Sequence, residues 1–311
     1  MSEIKDIAVI GAGLMGHGIA QIFAANGYQV SLFDLEEPIL SKALEGIRSN
    51  LTLMAGKGIG HTDDIEQILS RIRTTVDLQD AVVGVQFVVE AVIEDLGVKQ
   101  QLFQKIDGLC PPESILATNT SVISITEIAQ NAQNRERILG THFWNPPYLV
   151  PLVEVIRGQD TADKAMDRTY ELLKSVGKHP VRVKKDVPGF VGNRLQHALW
   201  REAISIVEKG IADPAMVDEC VKFGFGLRLP VLGPLENADM VGLDLTLAIH
   251  DYILKHIEDS PEPSELLRQK VEKNELGFKT GKGFQEWPEK TADDLRKNLL
   301  NYLLEVTKTG S

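Results

Sequence analysis

The chain has 311 residues, 43% of them apolar and 25% charged, with a formal net charge of −11. That length exceeds what one hydrophobic core usually serves, so two domains are expected. The acidic balance argues against a nucleic-acid or anionic-membrane partner, and no apolar stretch approaches the roughly 20 residues that span a bilayer.

The N-terminal MSEIKD leads directly into an apolar strand, without the basic segment and long apolar core of a secretory signal. Cys110 and Cys220 are the only cysteines, far apart and in no metal-binding spacing. A cytoplasmic, reducing compartment and no metal site are expected. Strands are then predicted at Ile7–Ile10, Val30–Phe33, Arg73–Val76, Phe87–Val92, Ile115–Thr118, Ile138–Phe143, Leu152–Ile156 and Pro180–Val183. Helical patterns separate several of them: Leu14–Asn26, Pro38 to about Ala55, Val98–Leu109 and Ala162–Val176. Such alternation predicts a mostly parallel sheet covered on both faces.

At Lys184-Lys185-Asp186-Val187-Pro188-Gly189 charge, proline and glycine together mark a hinge. Beyond it Phe190–Lys209, Asp213–Phe223 and Pro234–Ile257 read as helices, with no convincing strand in most of this half. The expected division is residues 1–186 and a helical domain of residues 187–311. The wide apolar faces of those helices predict an isologous homodimer through this domain.

Gly11-Ala12-Gly13-Leu14-Met15-Gly16 fits GxGxxG, follows an apolar strand and opens a helix. Asp34 ends the next strand at the distance a dinucleotide fingerprint demands. Gly11 permits the tight turn, Gly13 leaves room for a pyrophosphate, and Gly16 lets helix and sheet pack closely. The helix start at Leu14 and Met15 offers free N–H groups and a positive dipole end to phosphates. Asp34 accepts hydrogen bonds from ribose hydroxyls and repels a 2′-phosphate, and Leu35-Glu36-Glu37 adds no arginine, so NAD is favoured over NADP. The alternative for Asp34 is a helix cap or strand-end turn. His17, with no base or metal beside it in the sequence, reads as a packing residue.

His142 lies near the carboxyl end of an apolar strand, where open α/β sheets bind ligands. An imidazole exchanges a proton near neutral pH. Glu154, twelve residues later, is a lone carboxylate in another apolar strand and needs a partner if buried. One proline-bearing loop joins the two strands, which makes His142 that partner. A carboxylate on one ring nitrogen fixes the tautomer and stabilises the imidazolium formed when a substrate hydroxyl gives up its proton. From the residues alone, a structural histidine and an edge-strand glutamate stay open.

From the fingerprint to Gly283 the chain resembles the 3-hydroxyacyl-CoA dehydrogenase family, which also contains lambda-crystallin/L-gulonate 3-dehydrogenase and carnitine dehydrogenase. The segments that carry the resemblance are GAGLMGHGIA, VVEAVIEDLGVK, ATNTSVISI, THFWNPPYLVPLVEVI, KKDVPGFVGNRL and GFKTGKGF. It implies an N-terminal Rossmann-type, doubly wound, mostly parallel sheet followed by an all-α domain. It implies His142 as the base, Glu154 as its orienting partner, and Ser121 and Asn193 as active-site residues that hold substrate. It also implies cofactor contacts at Glu94, Lys99, Asn145 and Lys279. The alternatives are helix-start charges for Glu94 and Lys99, a solvated tail for Lys279, and a helix cap near Ser121 that Ser124 serves better.

The substrate is drawn two ways. Asn145-Pro146-Pro147-Tyr148 and Gly224-Phe225-Gly226-Leu227-Arg228 resemble the gulonate branch, with Arg228 a carboxylate clamp or a surface charge. Gly233-Pro234-Leu235-Glu236 and the GFKTGKGF segment resemble the acyl-CoA branch. Lys57 falls near the family's CoA-phosphate lysine, whereas Asn50 replaces a CoA-contacting serine. The expectation is a short L-3-hydroxyacyl-CoA, with a small free 3-hydroxy acid as runner-up and a crystallin-like, non-catalytic protein as the alternative of another class.

Overall fold

The computed structural model describes residues 4–60 and 64–309. The first half alternates strand and helix: β1 (Asp6–Ile10), α1 (Leu14–Ala25), β2 (Gln29–Phe33), α2 (Glu37–Gly56), α3 (Ile65–Ser70), β3 (Ile72–Thr75), α4 (Leu78–Val82), β4 (Phe87–Glu90), α5 (Leu96–Leu109), β5 (Ile115–Thr118) and α6 (Ile125–Ile128). It continues with β6 (Ile138–Phe143), β7 (Leu152–Ile156), α7 (Asp163–Ser175) and β8 (His179–Val183). All eight strands form one sheet in the order β3-β2-β1-β4-β5-β6-β7-β8. The order reverses between β1 and β4, the switch point of a doubly wound sheet, and every pairing is parallel except β6 with β7.

The pleat explains why both faces are dry. Side chains alternate across a strand. In β1, Ile7 and Val9 enter one core with Phe23, Leu40 and Phe87. Ala8 and Ile10 enter the other core with Phe103, Leu116 and Phe190. Strands buried on both sides read as continuous apolar runs, which is how β1 and β4 stand in the sequence.

Two compact units emerge: Met1–Asn193 with Leu300–Ser311, and Arg194–Leu299. Residues 187–193, expected in the helical domain, group with the sheet because Glu154 binds the Val191 and Gly192 N–H groups and Asn193 binds Ser121. Within the second part of the chain lie α8 (Gly192–Glu208), α9 (Pro214–Phe223), α10 (Pro234–Val241), α11 (Leu243–Ile253), α12 (Glu265–Glu272) and α13 (Glu289–Thr309). The expected single helix Pro234–Ile257 is interrupted at Gly242, whose φ of 104° no helix accommodates. In the second unit, Glu258 accepts hydrogen bonds from Ser205 Oγ and Lys209 Nζ, both at 3.0 Å, tying the chain after α11 to α8.

The last turns of α13 belong to the first unit. Leu304 is 0% exposed and packs with Met54 of α2 and Leu149 of the β6–β7 connection. Lys178 grips the same connection, its Nζ donating to Pro147 O at 2.5 Å and Val150 O at 3.0 Å. Among the described residues no helix is long and apolar enough to cross a membrane.

Candidate active site

Only residues 144–151 connect β6 to β7, too few for the crossover a parallel pair needs, so the two strands run antiparallel. Their register sets His142 opposite Glu154. Directly opposed residues of such a pair leave the sheet on the same side. His142 Nδ1 stands 2.8 Å from Glu154 Oε2, with both side chains buried. A carboxylate at that distance favours the tautomer protonated on Nδ1 and leaves Nε2 to accept a proton.

Glu154 is held from its other oxygen as well. Val191 N and Gly192 N donate to Oε1 at 2.9 and 3.0 Å. Burial pushes the Glu154 carboxyl up, but the His142 hydrogen bond and those two N–H groups outweigh it and hold it below the ordinary carboxylate range. The imidazole is flanked by Trp144, with ring centroids 5.2 Å apart, and by Phe190, at 5.8 Å. Both aromatics, and the two N–H donors, escaped the sequence reading. The hinge expected at 184–189 ends just before Phe190 and the two donors, and the helix expected from Phe190 starts only at Gly192, so the donors fall in a stretch that was expected to be helical.

Asn193 is brought to Ser121, across 72 residues of chain, through Nδ2 donating to Ser121 O at 2.9 Å. Ser121 N donates to Glu94 Oε1 at 2.9 Å, and Thr120 Oγ1 donates to the same oxygen at 2.5 Å. Ser121 is thus fixed at both backbone groups, and the residue is half-buried. Lys99 is 1% exposed, its ammonium 2.7 Å from Glu90 Oε1 and 3.4 Å from Glu94 Oε2. Neither Glu94 nor Lys99 is an ordinary helix-start charge: Asp95 caps α5, and the pair holds the Ser121 turn. Ser124 does cap α6, accepting from Glu127 N at 3.2 Å. Asn145 is exposed after β6, and Lys279 lies in the second unit on an exposed turn closed by Gly277 N and Lys282 O.

The dinucleotide residues converge at the end of β1. Gly11 has a φ of 100°, and a Cβ on it would come within 2.6 Å of Ala91 O. A Cβ on Gly16 would collide with Gly11 O, so close helix–sheet packing needs that glycine too. At Gly13 a Cβ would meet nothing within 4 Å, which leaves the start of α1 open. No side chain caps α1, and Leu14 is 68% exposed. Asp34 accepts from Ala12 N and Leu35 N, both at 2.7 Å, so the strand-end turn is real and the carboxylate stands beside the glycine loop. An uncapped helix start, an open glycine and a neighbouring carboxylate fit NAD. His17 packs on Gly46 and bonds Gly13 O at 2.8 Å, as a packing residue does. Among the described residues no cluster of His, Cys, Asp and Glu is placed to hold a metal ion.

A switch-point glycine loop suited to NAD, on the sheet that carries a buried imidazole–carboxylate pair, defines an NAD-dependent oxidoreductase. The family described as 3-hydroxyacyl-CoA dehydrogenase, NAD binding domain, matches residues 6–187, and that described as 3-hydroxyacyl-CoA dehydrogenase, C-terminal domain, matches residues 189–287. The chain belongs to the 3-hydroxyacyl-CoA dehydrogenase family. It is 38% identical over 282 residues to a 3-hydroxybutyryl-CoA dehydrogenase of Clostridioides difficile, covering 90% of this chain and 99% of the relative. It is 36% identical over 289 residues to a 5-formyl-3-hydroxy-2-methylpyridine 4-carboxylate 5-dehydrogenase of Mesorhizobium japonicum, covering 93% of each. A crystal structure of a 5-dehydrogenase of that pyridine carboxylic acid, an NAD+-dependent dismutase, superposes with a TM-score of 0.92 at 33% identity over 99% of both chains.

Proposed function

We propose that the protein oxidises the 3-hydroxy group of a short L-3-hydroxyacyl-CoA to the 3-keto compound. The observation that carries this reading is the 2.8 Å contact between His142 Nδ1 and Glu154 Oε2. His142 Nε2 takes the hydroxyl proton, and Glu154 steadies the imidazolium that results. Ser121 and Asn193 hold the substrate oxygen in reach. Gly11, Gly13, Gly16, Asp34 and the N–H groups of Leu14 and Met15 bind NAD, with Glu94, Lys99 and Asn145 as further contacts. NAD, when bound, accepts the hydride from the substrate carbon.

A small free 3-hydroxy acid is the second reading, and three observations favour it. Asn50 spends its amide on Gln21, at 3.1 Å, rather than standing free for a ligand. The final turns of α13, beyond the matched family domains, pack beside Leu53, Met54 and Ile59, the segment of chain that carries Lys57. One likeness that covers 99% of both chains, with a TM-score of 0.92, is to an enzyme named for a pyridine carboxylate. Mixing the protein with NADH and acetoacetyl-CoA, then with NAD and free 3-hydroxy acids, and following 340 nm absorbance separates the two. Turnover of the thioester alone supports the first, turnover of the acids alone the second, and neither overturns the role given to His142.

The protein is also proposed to be a cytoplasmic homodimer. Both cysteines are unpaired, as a reducing compartment keeps them. Leu243, Leu247 and Tyr252 of α11 are 63%, 63% and 71% exposed, and Leu235 of α10 is 80% exposed. Apolar surface on that scale is covered in a stable protein, and a second copy of the same face is the usual cover. A monomer mass by light scattering at micromolar concentration would overturn the dimer.

A further inference from the structure

Among the described residues, Phe190 and Asn274 are the only non-glycine residues with positive φ, at 49° and 55°. Asparagine tolerates that region through its short polar side chain, whereas phenylalanine gains nothing there and its Cβ crowds the backbone. Gly189 before it also has positive φ, 74°. Residues 188–191 form a turn, and in a turn successive backbone N–H groups can face one concavity that cradles an anion. Here the concavity is filled: Val191 N and Gly192 N both reach Glu154 Oε1, at 2.9 and 3.0 Å. Phe190 N itself turns away and donates to Val187 O at 3.0 Å.

The ring of the same residue is 1% exposed and lies 5.8 Å from the His142 ring, tilted 56°. A strained backbone that persists does so because its surroundings over-determine it, and such residues gather where geometry serves a task. Phe190 contributes twice to one pair. Its backbone aims two donors at the carboxylate, and its ring bears on the imidazole that the carboxylate orients. Gly192 completes the fit, since a Cβ there would strike Trp144, which flanks the imidazole, and would lie 3.3 Å from Glu154 Oε2.

We propose that Phe190 is a positioning residue of the oxidation: its left-handed turn ties Glu154 Oε1 to the Val191 and Gly192 N–H groups, so that Oε2 stays on His142 and the imidazole is held ready to take the substrate proton. This rests on His142 being the base, as in the proposed function.

The test is a double-mutant cycle between Phe190→Ala and Glu154→Gln. Kinetics are read against pH, with NAD affinity measured separately. Phe190→Ala lowers kcat by about tenfold or more while KM for NAD moves less than about twofold. The acid limb of kcat/KM shifts to lower pH in both single variants, because a loosened carboxylate steadies the imidazolium less. In the Glu154→Gln background, Phe190→Ala costs less than about threefold more, since the route through Glu154 is already lost. Phe190→Leu keeps apolar bulk, falls between Ala and wild type, and replaces Ala in the cycle should Phe190→Ala fail to fold. Multiplicative losses in the double variant, or wild-type kcat and pH profile in Phe190→Ala, overturn the role. An active wild type with either of those outcomes leaves the proposed function standing. A wild type inert toward every 3-oxygenated compound removes both.

Discussion

His142 and Glu154 are cross-strand neighbours, placed opposite each other by the β6–β7 register and joined through Nδ1 and Oε2 at 2.8 Å. Both side chains are buried, and a buried carboxylate without a partner is costly. The pair is therefore maintained by each group answering the other's burial, and it leaves one ring nitrogen uncommitted. The first prediction follows from removing its charge.

Glu154→Gln should lower kcat by about 100-fold while NAD binding is kept, because the amide no longer balances the imidazolium. It should also change the acid limb of stability. The folded Glu154 carboxyl lies below its ordinary value of 4.5, so its stabilising share is complete above pH 4.5 and fades as pH falls through the lower folded value. The difference in unfolding free energy between wild type and variant should shrink as pH drops below 4.5. A pH-independent difference contradicts this.

Lys178 predicts a second rise of stability with pH, at alkaline pH. Burial lowers its ammonium from 10.5 to about 8. The folded state thus sheds a proton that the unfolded chain keeps, and the penalty of burying the charge is complete below pH 8, eases between 8 and 10.5, and is gone above. The wild type should gain stability relative to Lys178→Met across that window. Parallel curves for the two proteins would show that the ammonium is not strained by burial.

Asp34→Ala should reduce the preference for NAD over NADP, measured as the ratio of kcat/KM values, by about tenfold. The carboxylate stands beside the glycine loop, 2.7 Å from Ala12 N, and in the proposed role it would accept ribose hydroxyls and repel a 2′-phosphate. An unchanged ratio limits Asp34 to the strand-end turn it also forms.

Leu304→Ala should cost about 2–5 kcal/mol in urea unfolding, the range for emptying a buried leucine site. The exposed neighbour Leu299, 59% accessible, should tolerate the same change within about 0.5 kcal/mol. Equal, small effects at both positions would show that the last turns of α13 do not pack on Met54 and Leu149.

Much of this was legible because single residues carried it. The glycine spacing and the apolar run before it fixed β1, α1 and the start of the dinucleotide loop. A lone glutamate in Leu152–Ile156 named its own partner, since burial demanded one and one short loop offered His142. The Ser124 cap was readable from its place before Ile125. The rest depended on long-range packing. Gly242 breaks the helix around it by a positive φ that its neighbours do not announce. The return of α13 to the sheet depends on Leu304 meeting Leu149, 155 positions earlier, and no local periodicity encodes that. Phe190 was hidden for a different reason: its conformation runs against its residue type, and only the surrounding contacts make it hold.

The most direct measurement is turnover by His142→Gln alongside its NAD affinity. Loss of kcat by about 1,000-fold or more, with NAD bound as tightly as by wild type, is expected if the imidazole takes the substrate proton. Near-wild-type kcat in a variant that binds NAD normally would contradict that role and leave the Glu154 contact a structural one.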